Sequence, residues 1–336
     1  MISKNNPVVV TGASGFLGKF VLRELSNRGY ENIVGTYANY KNKKAYPAIP
    51  NVTWDHLDLL VPAYSDKTVN DVHNFLQKHN PVATIHLAAT VGGIGANADN
   101  PGRFMYENLA MGMNLIEALR MNRSTTKSKF VMVGTVCSYP KFAPVPFLEE
   151  DLWNGYPEET NAPYGIAKKT LMELVIAYNK QYGFNGVNLL PVNLYGPEDN
   201  FDLESSHVIP ALIRKFETAR INNDESVSLW GTGSASREFL YVKDAARGIV
   251  NAMEEHNDPQ PINLGTCNEI TIAKLANKIK NVVGYTGQIV YDPTKPNGQP
   301  RRCLDTNKAK EKFDWWSTTD FEFGLRETLQ WWREQQ

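Results

Sequence analysis

The apolar run Pro7-Val8-Val9-Val10-Thr11 breaks on Gly12, and Gly15 and Gly18 follow at three-residue spacing. A short, wholly apolar run reads as a strand buried on both faces, the mark of a parallel sheet. From Phe16 to Arg28, Leu17, Val21 and Leu25 recur every four residues, forming one face of a helix that ends near Gly29. Strand, glycine turn and helix in that order make the opening unit of a dinucleotide-binding fold. Gly12 permits the tight turn, Gly15 lets a pyrophosphate approach the backbone, and Gly18 lets the helix pack closely. The helix N-terminus offers its amides to the phosphates. The same residues could form a ligand-free turn, but the flanking strand and helix favour the binding site.

Further strand patterns lie at 33–37, 52–57, 84–87, 129–133 and 186–190, with helical patterns between most of them, notably 104–121 and 164–182. This alternation predicts an α/β, Rossmann-type doubly wound parallel sheet, with ligands beyond the carboxyl ends of its strands. After about residue 195 turn-rich stretches appear, and helices are expected at about 207–222, 242–255 and 320–333. The expected division is a cofactor-binding domain over 1–195, with a return at about 240–265. A smaller, entwined substrate-binding domain takes 196–240 and 266–336.

Composition removes other classes. The chain has 336 residues and a net charge of −1, with no long basic block, so nucleic acid is not an expected partner. No stretch of about 18 apolar residues predicts a membrane span. The start, Met1 to Pro7, lacks the apolar region of a secretion signal. Three widely spaced cysteines, Cys137, Cys267 and Cys303, argue against a disulfide framework or a metal site and for a reducing, cytoplasmic setting.

Tyr164 and Lys168 fall one turn apart on a helix that has Pro163 at its start. An ammonium beside a phenol favours the phenolate, and such a tyrosine exchanges a proton with a substrate oxygen while hydride moves at the same carbon. Thr135, after the fifth strand, stands where a completing hydroxyl is needed. Cys137 is two residues further on; most free cysteines are buried hydrophobes. His207 starts a helix, a place equally suited to capping. As a pair, a thiol and an imidazole can act as acid and base on opposite faces of a ring. At the end of the second strand, Thr36-Tyr37-Ala38-Asn39 has no acid, and Lys41, Lys43 and Lys44 follow. That favours NADP(H) over NAD, unless the lysines are only a solvated loop. Asp58 either accepts from the adenine amine or makes a simple turn.

Longer segments carry a resemblance: His86-Leu87-Ala88-Ala89-Thr90-Val91-Gly92-Gly93-Ile94, Gly134-Thr135-Val136-Cys137-Ser138-Tyr139-Pro140-Lys141, Asn193-Leu194-Tyr195-Gly196-Pro197, Ser206-His207-Val208-Ile209-Pro210 and Arg237-Glu238-Phe239-Leu240. Nearly end to end, the chain resembles the extended short-chain dehydrogenases/reductases, and among them the epimerase-reductases of GDP-linked 4-keto sugars. The resemblance implies NADPH-dependent conversion of GDP-4-keto-6-deoxy-D-mannose to GDP-L-fucose, with inversion at C3 and C5 and then reduction at C4. It implies Cys137 and His207 as the proton carriers and Thr135, Tyr164 and Lys168 around the C4 oxygen. It places Gly12, Ser14, Gly15, Phe16, Leu17, Gly18, Asp58, Leu59, Leu87, Ala88, Ala89 and Lys168 at the cofactor. Asn193, Lys215, Trp230, Arg237 and Arg302 fall at the substrate, with Arg301 and Arg302 in a loop over the nucleotide. Thr135 stands where the family commonly has serine, and Ser14 where some members have arginine. Relatives of this framework act on other GDP-linked keto sugars, and some only reduce C4. A homodimer through the helices at 104–121 and 164–182 is also implied.

Overall fold

A computed structural model describes residues 2–38, 46–60, 66–122, 128–203, 205–295 and 297–336. The first part of the chain runs β1 (Val8–Thr11), α1 (Phe16–Asn27), β2 (Ile33–Tyr37), β3 (Val52–His56), α2 (Asp66–His79), β4 (Ala83–His86), α3 (Ile94–Asp99), α4 (Pro101–Met121), β5 (Lys129–Val133), α5 (Ala162–Tyr182) and β6 (Gly186–Pro191). It continues with β7 (Asn193–Tyr195), α6 (Val208–Asn222), β8 (Ser226–Trp230), β9 (Ser236–Tyr241), α7 (Val242–Glu255), β10 (Ile262–Leu264) and β11 (Glu269–Thr271). The last elements are α8 (Ile272–Val283), β12 (Gln288–Asp292), α9 (Asn307–Phe313) and α10 (Phe321–Glu334).

Seven strands form a parallel sheet in the order β10-β6-β5-β4-β1-β2-β3. Strands β1, β2 and β5 are buried at every position, which is why they read as unbroken apolar runs. The order of succession reverses between β1 and β4, so a crevice opens beyond their carboxyl ends. Helix α1 packs on α7, and α4 packs on α2 and α5, giving the two helical layers. The sheet core draws in the late residues Leu304, Ala309, Phe313 and Trp315. Trp315 is fully buried against Gly248 and donates its indole N–H to the Asp244 carbonyl at 3.1 Å.

A second core gathers Phe201, Ile209, Phe216, Leu275, Ile279 and Leu329. Around it lie a β11-β9-β7 sheet and a β12-β8 pair. Among the described residues no helix is long and apolar enough to cross a membrane.

Glu217 on α6 ties this second unit together. It accepts from Arg220 at 2.8 Å and from Arg333 of α10 at 2.8 and 2.9 Å. Burial pushes its carboxyl up, but the two guanidiniums outweigh that and hold it at about 2. The folded value lies below the ordinary 4.5, so the stabilisation is present above that pH and is lost as pH falls toward the folded value. Thermal midpoints measured near neutrality and at about pH 3 should therefore differ less in Glu217→Gln than in the parent. An identical gap in the two proteins would remove this pair as a source of acid sensitivity.

Candidate active site

The carboxyl ends of β1, β4 and β5 carry the site. Thr11, ending β1, is in register with His86, ending β4. Gly12 follows at φ 66°, and a Cβ there would lie 2.6 Å from the Ala88 nitrogen, so the turn is pressed against Leu87-Ala88-Ala89. A Cβ on Gly18 would collide with the Gly12 carbonyl, which closes the helix onto the turn. Gly15 precedes α1 with no side-chain cap and no acid in the first turn. The helix therefore presents unpaired N–H groups and its positive end, beside Ser14, Phe16 and Leu17. Backbone so close-packed and so free of anionic side chains fits a dinucleotide pyrophosphate.

Asp58 is engaged locally: its Oδ1 accepts from Leu60 N at 2.9 Å, and the Leu59 carbonyl accepts from Asn114 Nδ2 at 3.0 Å. Asn39, Lys41, Lys43 and Lys44 lie outside the described residues.

After β5, Thr135 caps a single 3-10 turn over Val136–Ser138, its Oγ1 accepting from Cys137 N at 3.2 Å. Helix α5 begins with Pro163 in its first turn. A Cβ on Gly165 would collide with the Cys137 carbonyl, and Ser138 Oγ donates to the Gly165 carbonyl at 2.9 Å. Helix and loop thus meet backbone to backbone, which sets Tyr164 and Thr135 at the same junction. Lys168, one turn on, is buried and donates to the Val133 carbonyl at 3.3 Å. Burial pulls its ammonium down to about 8.

The expectation that Lys168 lowers the Tyr164 phenol is corrected here. Burial, with the negative charge of Cys137 second, pushes the phenol well above its ordinary value, against a smaller downward pull from Thr135. The ammonium is drawn to the Val133 carbonyl rather than to the phenol. A phenol that keeps its proton is a donor. His86, hydrogen-bonded to Thr11 Oγ1 at 2.8 Å, is fully buried, and burial and then the Lys168 charge keep its imidazole neutral.

The facing wall comes from far along the chain. Arg302 Nη1 lies 3.5 Å from both Cys137 Sγ and Asn193 Oδ1. Arg237 donates to the Ser236 and Gln299 carbonyls at 2.7 and 2.6 Å, and burial brings its guanidinium down to about 10, with Arg302 second. Gln299 was not anticipated from the sequence; its burial between two arginines is a tertiary property with no local signal.

His207 precedes α6, and its loop is tied to the β4–α3 connection through Gly93 N donating to the Ser205 carbonyl at 3.1 Å. His207 is exposed and Tyr164 half-buried, so both rings are reached from solvent. Burial lowers the His207 imidazole below its usual value. Among the described residues no hydrogen bond joins His207 to the Cys137 cluster. Lys215 donates to the Ser228 carbonyl at 3.3 Å, and Trp230 is 57% exposed with Lys295 5.6 Å above its ring. Both belong to the second unit. Arg301 is exposed and pairs with Glu269 at 3.0 Å, away from the cluster.

Gly165→Ala should cost about 1–3 kcal/mol in chemical denaturation, because the clash is with backbone that cannot rotate away. Unchanged stability would mean that the helix start and the Cys137 loop are not in contact.

The family model for the NAD dependent epimerase/dehydratase family matches residues 8–265. The chain is 37% identical over 334 residues to "Probable GDP-L-fucose synthase 1" of Oryza sativa subsp. japonica, covering 99% of this chain and 94% of that protein. It is 37% identical over 338 residues to "GDP-L-fucose synthase" of Escherichia coli (strain K12), covering 98% and 97%. Among solved structures it is similar to the GDP-mannoheptose C4 reductase MlghC from Campylobacter jejuni with NADP bound. The TM-score there is 0.82 at 26% identity, covering 99% of this chain and all of that one. With its glycine cradle at the sheet crevice and its Thr135–Tyr164–Lys168 cluster beside it, the chain belongs to the NAD dependent epimerase/dehydratase family.

Proposed function

We propose that the protein converts GDP-4-keto-6-deoxy-D-mannose to GDP-L-fucose with NADPH, epimerising C3 and C5 and then reducing C4. The observation that carries this is the juxtaposition of a proton-holding Tyr164, Thr135 and a half-buried Cys137 thiol at the carboxyl end of β5. The relatives named GDP-L-fucose synthase support the substrate, and the NADP-bound neighbour supports the cofactor.

The C4 ketone acidifies the hydrogens on its neighbouring carbons. Each inversion breaks a C–H bond, leaves the electron pair on the C4 oxygen as an enolate, and re-forms C–H from the opposite face. Cys137 and His207 are assigned these two proton transfers. Thr135 and Tyr164 stabilise the enolate oxygen, in a setting arranged before the charge develops. NADPH, when bound, supplies hydride for C4. Tyr164 gives the new hydroxyl its proton, and Lys168 supplies a nearby positive charge. Gly12, Ser14, Gly15, Phe16, Leu17, Gly18, Leu87, Ala88 and Ala89 hold the dinucleotide, with Asp58 and Leu59 at its adenine end. Asn193, Lys215, Trp230 and Arg237 line the substrate side; a guanidinium suits the diphosphate.

We assign residues 1–195, 240–265 and the Leu304–Trp315 segment to the cofactor domain, and the rest to the substrate domain, following the two cores. We also propose a homodimer through α4 and α5, where Tyr106, Met113, Met121 and Tyr182 stand exposed. A cytoplasmic setting suits three free cysteines. A second reading, reduction at C4 alone, is favoured by the likeness to the C4 reductase.

Incubation with NADPH and GDP-4-keto-6-deoxy-D-mannose in deuterated water, followed by NMR, should give GDP-L-fucose with deuterium at C3 and C5. Product without deuterium would leave reduction only, and no turnover would move the substrate elsewhere. Tyr164→Phe should slow reduction about 10²–10⁴-fold, whereas Cys137→Ser should slow deuterium entry more than hydride transfer. Equal losses in both steps for Cys137→Ser would break that division.

A further inference from the structure

Arg302 is set unlike a substrate-reaching arginine. It is 5% exposed. Its Nε and Nη2 both donate to Gln299 Oε1, at 3.1 and 2.8 Å. Gln299, equally buried, donates its own amide to the carbonyls of Pro140 and Lys141 at 3.4 and 3.2 Å. Those two residues close the loop that begins with Thr135 and Cys137. The fork is therefore locked by the loop that carries the thiol, and the remaining nitrogen, Nη1, aims at Cys137 Sγ and Asn193 Oδ1. Asn193 is fixed in turn, since its Nδ2 donates to the Glu238 carbonyl at 2.9 Å.

Among the described residues no carboxylate pairs with Arg302. The nearby acids are engaged elsewhere, Glu269 by Arg301 and Ser236, and Glu158 by Thr160 and Asn161. A buried guanidinium cannot shed its proton, so its charge must be met by an anion close at hand. The nearest group able to become one is the Cys137 sulfur.

We propose that Arg302 is a positioning residue for Cys137: its locked guanidinium donates to the sulfur and balances the negative charge the sulfur carries whenever its proton is on the substrate carbon or in solvent. The cation and the thiol act as one unit, and Gln299 holds the unit in register. This rests on Cys137 being a proton carrier, but its test does not need the substrate. Had Arg302 been a diphosphate ligand, its fork would face the open cleft rather than Gln299.

The test is alkylation of Cys137 by iodoacetamide, followed residue by residue with peptide mass spectrometry across pH. The thiolate is the reacting form, so the rate reads the charge on sulfur. Arg302→Gln should slow alkylation of Cys137 near neutrality by about tenfold. Arg302→Lys, which keeps the charge, should recover much of the rate. A cooperative thermal transition at the parent's midpoint identifies the folded variants. If Arg302→Gln does not fold, Gln299→Met keeps both cation and thiol but frees the fork, and should lower the Cys137 rate in the same direction. Unaltered Cys137 alkylation in the folded variants, with a raised KM for the GDP-sugar alone, would overturn the proposal and leave Arg302 as a phosphate ligand. Slowed alkylation in a protein that never admits deuterium at C3 or C5 would keep the Arg302–Cys137 unit and remove the epimerase reading instead.

Discussion

The contact on which the cleft depends is the one between Gly165 and the Cys137 carbonyl. There the first turn of α5 rests directly on the loop after β5, with no side chain between them. A Cβ on Gly165 would hold helix and loop apart, and with them Tyr164 and Thr135. The same contact orders the loop itself, since Thr135 caps the turn that bears Cys137 and Ser138 binds back to the helix. Packing density here is a chemical requirement, because proton transfer tolerates little error in distance.

Two kinds of charge control surround that contact. On the helix side, burial keeps the Tyr164 phenol protonated, holds His86 neutral and brings the Lys168 ammonium close to discharge. On the facing side a buried guanidinium, Arg302, and a half-buried one, Arg237, concentrate positive charge near the thiol. Proton donors and cations thus converge on one volume, while Glu269 is paired with Arg301 and the buried Glu158 acts on Arg237. A site so arranged favours negative charge appearing on a substrate oxygen or a phosphate.

Much of this was legible in the sequence where the signal is local. Strands β1, β2 and β5 announced themselves because burial on both faces leaves unbroken apolar runs. Tyr164, Lys168, Thr135 and Cys137 were legible because one helix turn and one short loop fix their spacing. Strands β8 and β12 were not, since each keeps a wet face, and three-residue β11 is too short to carry a period. The amphipathic α8 was not picked out. The buried link from Gln299 to Pro140 was beyond reach, because its partners are 159 residues apart and only the folded chain brings them together. The direction of the Tyr164 shift was misjudged for the same reason: spacing puts Lys168 on the right face but does not say which carbonyl will hold its ammonium.

That long-range link also bears on how the protein is born. Domains form as the chain emerges, N-terminal parts first. The glycine cradle and the Thr135–Tyr164 pair draw on the first half of the chain, whereas the Gln299 and Arg302 side chains that brace the thiol loop arrive only when synthesis is nearly over. Until then the Cys137 loop lacks its tether to Gln299. The sheet core itself closes only with Leu304, Ala309, Phe313 and Trp315, so the cofactor domain and the thiol loop are completed together as the end of the chain emerges.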